Sequence, residues 1–218
     1  WYRSTLAHHA PLVNGSSQPP ATATLLAFED RGGMGGMRKR ALIGHGILAT
    51  RTIVVAESYC VDVLEWGRDA NAPSAPASAD NITITLPVCA GARHTTPSTF
   101  EPIARSGAGG LEDGFDFIHH LESSAIIGTA VIDACAASSQ GAEMPGASAQ
   151  LRLASNVPAT LHRARAPGAP GCEESIRHFV ELRGATGRLV SVWHWAPVTD
   201  VPAVEHVALD AGAAAVRG

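Results

Sequence analysis

Hydrophobic and polar residues alternate with a period of two over short stretches of this chain. "ATATLLAF" (21–28), "RALIGHGILA" (40–49), "RTIVVA" (51–56), "NITITLPV" (81–88), "FDFIHHL" (115–121), "AQLRLAS" (149–155), "HFVEL" (178–182) and "RLVSVWHW" (188–195) each suit a strand. Between them lie loops rich in Gly, Pro, Ala and Ser, among them "RGGMGGMRK", "DANAPSAPASAD", "ASSQGAEMPGAS" and "RARAPGAPG". Only from about Val201 to Ala214 does the period lengthen, with Val204, Val207 and Ala208 on one helical face. Many short strands and one closing helix predict an all-β protein, a barrel or a sandwich.

Composition narrows the classes of partner. With 218 residues, 45% of them hydrophobic and 17% charged, the chain is able to bury a real core. Twenty acidic residues against sixteen basic ones leave a formal charge of −4, so no global cationic field favours nucleic acid or an anionic membrane. The longest apolar runs, "TIVVA" and "AIIGTAVI", fall far short of the roughly 20 residues that a spanning helix needs. The opening "WYRSTLAHHAP" has neither the charged start nor the apolar stretch of a signal peptide.

The residues with chemistry to offer are few and scattered. Adjacent His8 and His9, or His119 and His120, point to opposite faces of an extended chain and do not share an ion, so no metal and no cofactor is expected. Cys60, Cys89, Cys135 and Cys172 permit three pairings, and also permit bonding to another chain or staying reduced. Asn14 ("NGS") and Asn81 ("NIT") stand in glycosylation sequons, which suits a secreted glycoprotein. Arg31, Arg38, Lys39 and Arg40 bracket a Gly-rich stretch that reads as a hairpin tip, the densest basic cluster on a slightly acidic chain.

Several segments, in order, resemble the trypsin-like (chymotrypsin-fold) serine proteases. "PLVNGSSQPP" (11–20) is similar to the activation site of that family, and "GILATRTIVVAESYC" (46–60) to the strand pair that ends at Ala-Ala-His-Cys. "FDFIHHLESSA" (115–125) resembles the segment of the triad aspartate, "GCEESIRHFVEL" the nucleophile segment, "GRLVSVWHWA" the Val-Ser-Trp-Gly strand, and "PVTDVPAVEHV" the approach to a C-terminal helix. The resemblance places Tyr59, Asp116 and Ser175 at the triad positions, with His194 and Trp195 along the substrate edge. It implies two six-stranded antiparallel β-barrels, residues 12–122 and 123–200, with a short N-terminal extension at 1–11 and a closing helix and tail over 201–218.

The departures from that pattern imply a protein without the family's catalysis. A tyrosine hydroxyl titrates near pH ~10 and accepts a proton poorly at neutrality, where the reaction needs a base near 7. Glu173 and Glu174 stand where the oxyanion donors belong, and Ile176, Arg177 and His178 replace the small residues after the nucleophile. No complete family disulfide survives among the four cysteines. The expectation is a pseudoprotease, a secreted or extracellular binding or structural subunit whose partner is another protein or an acidic polysaccharide, held through the basic hairpin. Two alternatives stand beside it: a serine hydrolase with a rewired base, His45 or His178, and a β-sandwich adhesion module in which the order of the segments is coincidence.

Overall fold

The structure, a computed structural model, describes residues 4–71, 82–90, 92–103, 113–137, 143–168, 173–195, 205–206 and 216–217. The strands in chain order are β1 (Leu12–Val13), β2 (Thr24–Arg31), β3 (Met34–Gly44), β4 (Ile47–Ala56), β5 (Tyr59–Arg68), β6 (Thr83–Ala90), β7 (Ala92–Thr96) and β8 (Glu101–Pro102). They continue with β9 (His119–Ala125), β10 (Thr129–Ala137), β11 (Glu143–Ser155), β12 (Ala159–Ala166), β13 (Ser175–Arg183), β14 (Gly187–Trp195), β15 (Glu205–His206) and β16 (Val216–Arg217). Six pair antiparallel in the order β1-β6-β13-β12-β9-β8, and eight in the order β2-β3-β4-β5-β14-β11-β10-β7.

The protein is all-β, as the period of two predicts, but the two six-stranded barrels are not formed. A barrel closes when its first and last strands pair; here one sheet ends at β1 and β8 and the other at β2 and β7, so both are open. The expected boundary between residues 122 and 123 falls inside β9, and each sheet takes strands from both sides of it. The closing helix expected over 201–214 is interrupted by Glu205–His206, which pairs as a strand with Val216–Arg217; the remainder of that segment lies outside the described residues. Among the described residues no helix is long and apolar enough to cross a membrane.

Alternation puts one face of each sheet into a shared core. Ile43, Ile47, Leu64, Trp66, Ile132, Leu151, Leu153 and Leu189 of the larger sheet meet Ile84, Leu86, Leu161, Val180 and Leu182 of the smaller one. Burying each such side chain contributes about 1.5–3 kcal/mol. The Trp66 indole lies over Gly187, where an added Cβ would fall 2.3 Å from the ring, and its Nε1 donates to the Gly184 carbonyl at 2.9 Å. A second, smaller cluster of Leu6, Leu12, Ile118, Ala164, Ala166 and Phe179 forms where the N-terminal segment packs on the smaller sheet. Arg51 ties that segment down: it donates to both carboxylate oxygens of Asp62 at 2.9 and 2.5 Å and to the His9 carbonyl.

The β2–β3 connection is a two-residue turn, Gly32–Gly33, with both glycines at positive φ as a tight hairpin turn requires. Most of "RGGMGGMRKR" is therefore strand rather than loop. The β4–β5 connection is also two residues, Glu57–Ser58, so the chain doubles back at Tyr59 instead of stopping at the following cysteine.

Candidate functional site

The three triad positions of the sequence analysis are placed in unlike surroundings. Tyr59 opens β5 in the larger sheet, opposite His194 and 38% exposed. Ser175 opens β13 in the smaller sheet, opposite Ala166, and its Oγ is buried without a hydrogen-bond partner. Asp116 sits in the short 3-10 helix Phe115–Phe117. A serine becomes a nucleophile only when a base holds its proton, and among the described residues none holds that of Ser175. His178, one of the two alternative bases, is 1% exposed on β13 with both ring nitrogens unpartnered. His45 lies in the β3–β4 turn at a φ of 52°.

Other expected positions have structural employment. Trp195 donates its indole Nε1 to the Glu57 carbonyl at 3.0 Å and its backbone N–H to Ser58 at 2.9 Å, closing the β4–β5 turn. Asn14 uses its side-chain oxygen to accept from the Thr83 amide at 2.9 Å, tying the end of β1 to β6. Cys60 is a free, half-buried thiol, pushed up in pKa first by burial and then by the Asp62 carboxylate, which keeps it protonated and unreactive at neutral pH. Asn81 and Cys172 lie outside the described residues; Cys89 falls in β6 and Cys135 in β10. No group of three or more His, Cys, Asp or Glu among the described residues would hold a metal ion.

The four basic residues of the hairpin do not all share a face, because a strand sends neighbours to opposite sides: Arg31, Arg38 and Arg40 stand on one and Lys39 on the other. Arg31, at the tip, pairs with Glu29. Lys39 stands opposite Leu25 and Arg51, on the side that continues into the core. Arg38 and Arg40 project from the outer face, away from the smaller sheet.

On that outer face the register assembles a polar array that runs across six strands. Arg40 donates to Thr50 Oγ1 at 3.2 Å, and Arg38 and Arg188 both reach Glu65, at 3.4 and 2.6 Å. Further along, Arg152 Nε donates to Gln150 Oε1 at 2.8 Å and Gln150 Nε2 donates to Asp133 Oδ1 at 2.9 Å. His194 stands directly opposite Gln150 on one side and Tyr59 on the other. Val190 and Val192 stand beside Arg188 and Arg152 on this face and are buried, as expected where long arginine stems lie over apolar surface. With the Arg31–Glu29 pair at the hairpin tip, five guanidinium groups, Arg31, Arg38, Arg40, Arg152 and Arg188, thus share one sheet face with three carboxylates, Glu29, Glu65 and Asp133.

Sequence reasoning missed Arg152, Arg188, Glu65, Gln150 and Asp133 as a group. Each of "AQLRLAS" and "RLVSVWHW" carries its polar residues at every second position, which marks an outer face. Which strands lie side by side is not contained in that signal.

A second polar group lies on the core-side face of the smaller sheet, with His178 buried and the Arg163–Glu122 pair part-exposed. Arg163 Nη2 and Nε hold Glu122 Oε2 at 2.7 and 2.8 Å, and the guanidinium lies 4.4 Å from the centre of the Phe100 ring. His178 meets the same ring edge-on, with centroids 6.5 Å apart. Burial first, and then the Arg163 charge, lower the His178 pKa to about 4, so the imidazole is neutral at pH 7.

No protein-family model and no curated protein sequence matches the chain. Solved structures do. The heparan sulfate lyase HepC of Pedobacter heparinus superposes with a TM-score of 0.54 at 10% identity, over 94% of this chain and 26% of that one. A heparinase III structure superposes with a TM-score of 0.52 at 13% identity, over 90% of this chain and 25% of that one. The fold is therefore of a kind found as about a quarter of much longer chains.

Proposed function

We propose that the chain is a non-catalytic β-sandwich module of a larger polysaccharide-processing protein, and that the outer face of its larger sheet holds an acidic polysaccharide. The observation that carries this reading is the gathering of Arg38, Arg40, Arg152 and Arg188 on one face. A guanidinium presents paired donors that match a carboxylate or sulfate group, and β-partners repeat at about 4.5–5.5 Å across a sheet. His194, Gln150 and Tyr59 add neutral donors and acceptors suited to sugar hydroxyls. The names of the superposing structures, a heparan sulfate lyase and a heparinase III, favour an acidic polysaccharide over an acidic protein. The unpartnered Ser175 hydroxyl favours a binding role over a hydrolytic one. An extracellular location accords with such a ligand.

The test is the affinity of the 218-residue chain for heparan sulfate, measured by calorimetry beside a neutral polysaccharide. Binding to the acidic polymer alone is expected. It should weaken steeply with salt, because exposed charges are screened within about 10 Å at 0.1 M. Replacing Arg38, Arg40 and Arg188 together by Gln should lower the affinity at least tenfold. Equal binding of both polymers, or affinity indifferent to the three substitutions, would remove the basis for the reading.

A further inference from the structure

The larger sheet extends beyond the smaller one at its β2 edge, and the side of that hairpin that continues into the core is left uncovered. Along β2 every residue is exposed. On the uncovered side stand Leu25 and Lys39, then Phe28 and Met37, then Asp30 and Gly35, as three successive cross-strand pairs. Phe28 is 71% exposed, Leu25 54% and Met37 36%, and Val55 of β4, opposite Gly35, is 44% exposed. A contiguous group of large apolar side chains held in water marks an interaction surface, and an unpaired, apolar edge strand is a form that soluble proteins seldom leave bare.

The distribution of charge on this patch says what fits it. Lys39 and Asp30 lie at opposite ends, with the Phe28–Met37 pair between them, and neither has an ion pair among the described residues. Lys39 and Gly35 are four residues apart on β3, about 13 Å at ~3.3 Å per residue. A two-fold axis lying in the contact plane and running across the strands at Phe28 and Met37 exchanges the two ends. It sets Lys39 of one copy over Gly35 of the other, one strand away from that copy's Asp30 and within reach of its carboxylate, and the reverse, while Phe28 meets Phe28 and Met37 meets Met37 at the centre. Gly35, which has no side chain, then leaves room for Lys39 of the other copy to lean toward Asp30. A two-fold contact requires that each group meet its complement twice, and this patch satisfies that requirement with its own residues.

We infer that the inner face of the β2–β3 hairpin is the interface of a homodimer, two copies packed face to face with reciprocal Lys39–Asp30 ion pairs around a Phe28–Met37 centre. The occupant is a second copy of this chain. The arginine face lies on the other side of the same strands and stays open, so the dimer carries two polysaccharide faces directed apart. The inference does not rest on what that face binds.

Sedimentation equilibrium on the 218-residue chain tests it. A dimer of 22.5 kDa chains is expected at micromolar concentration. Lys39→Asp alone and Asp30→Lys alone should each raise the dissociation constant at least tenfold, since each sets like charges together twice. The double variant, which restores opposite charges in reversed positions, should dimerise again, and that recovery distinguishes a lost contact from a lost fold. Phe28→Ser should leave a monomer with unchanged far-ultraviolet dichroism. A chain that stays monomeric at 100 µM on the order of its highest working concentration, or a dimer indifferent to both single reversals, would overturn the inference. The first outcome would assign the patch to a different partner, the second the dimer to a different surface.

Discussion

Acidifying the protein should cost stability through one buried histidine, and the size of the effect follows from its surroundings. His178 is 1% exposed, finds no hydrogen-bond partner for either ring nitrogen and stands near Arg163, so its pKa falls from the ordinary 6.5 to about 4. In the unfolded chain the ring returns to 6.5. Between those two values the unfolded state binds the extra proton and the folded state does not, so stability rises with pH across the window. The contribution is complete above about pH 6.5 and is lost as the pH falls toward 4. A difference of about 2.5 pH units corresponds to about 3 kcal/mol, at roughly 1.4 kcal/mol per unit. His178→Leu conserves the approximate volume, cannot titrate and removes two unsatisfied polar atoms, at the loss of the edge-on contact with Phe100. At pH 7 these changes offset to within about 1 kcal/mol. Urea unfolding at half-unit steps from pH 7 to 4 should then show the two proteins diverging, the variant ahead by about 3 kcal/mol at the acid end. Parallel stability curves across that window would refute both the burial of a neutral imidazole and its assignment as the dominant acid-sensitive group.

Three further outcomes follow from the packing. Gly187→Ala should drive the Trp66 ring from its place and break its bond to Gly184, costing about 2–4 kcal/mol, read as a lower urea midpoint with red-shifted tryptophan emission. Arg51→Ala strands the Asp62 carboxylate and frees the N-terminal segment, so cleavage by a nonspecific protease near His8–Pro11 should accelerate, with about 1.5–3 kcal/mol lost from overall stability. Ser175→Ala removes a buried hydroxyl that has no partner, so stability should hold or rise by about 1 kcal/mol; rapid labelling of the unaltered chain by a fluorophosphonate would contradict the absence of a base there.

The period of two in short segments was sufficient to decide that this protein is all-β, because alternation is a property of single strands and is written into each one. It located β6, β13 and β14 closely, and it placed the polar positions of "AQLRLAS" and "RLVSVWHW" on a face that must meet water. The basic residues at 31–40 were equally plain, as was the exclusion of a long apolar helix among the described residues. What alternation cannot contain is which strand lies beside which. A resemblance in segment order suggested closed barrels, yet closure depends on whether edge strands find each other, and β1, β8, β2 and β7 do not. The same non-local pairing separates Tyr59 from Ser175 into different sheets and brings Arg152 and Arg188 onto the face of Arg38 and Arg40, from positions more than a hundred residues away. Lys39 shows the reverse case: adjacent in sequence to two arginines, it is parted from them by the pleat and delivered, with Asp30, to a surface of opposite character. Sequence set the rhythm of each strand; the register between strands, formed only on folding, determined which side chains share a face.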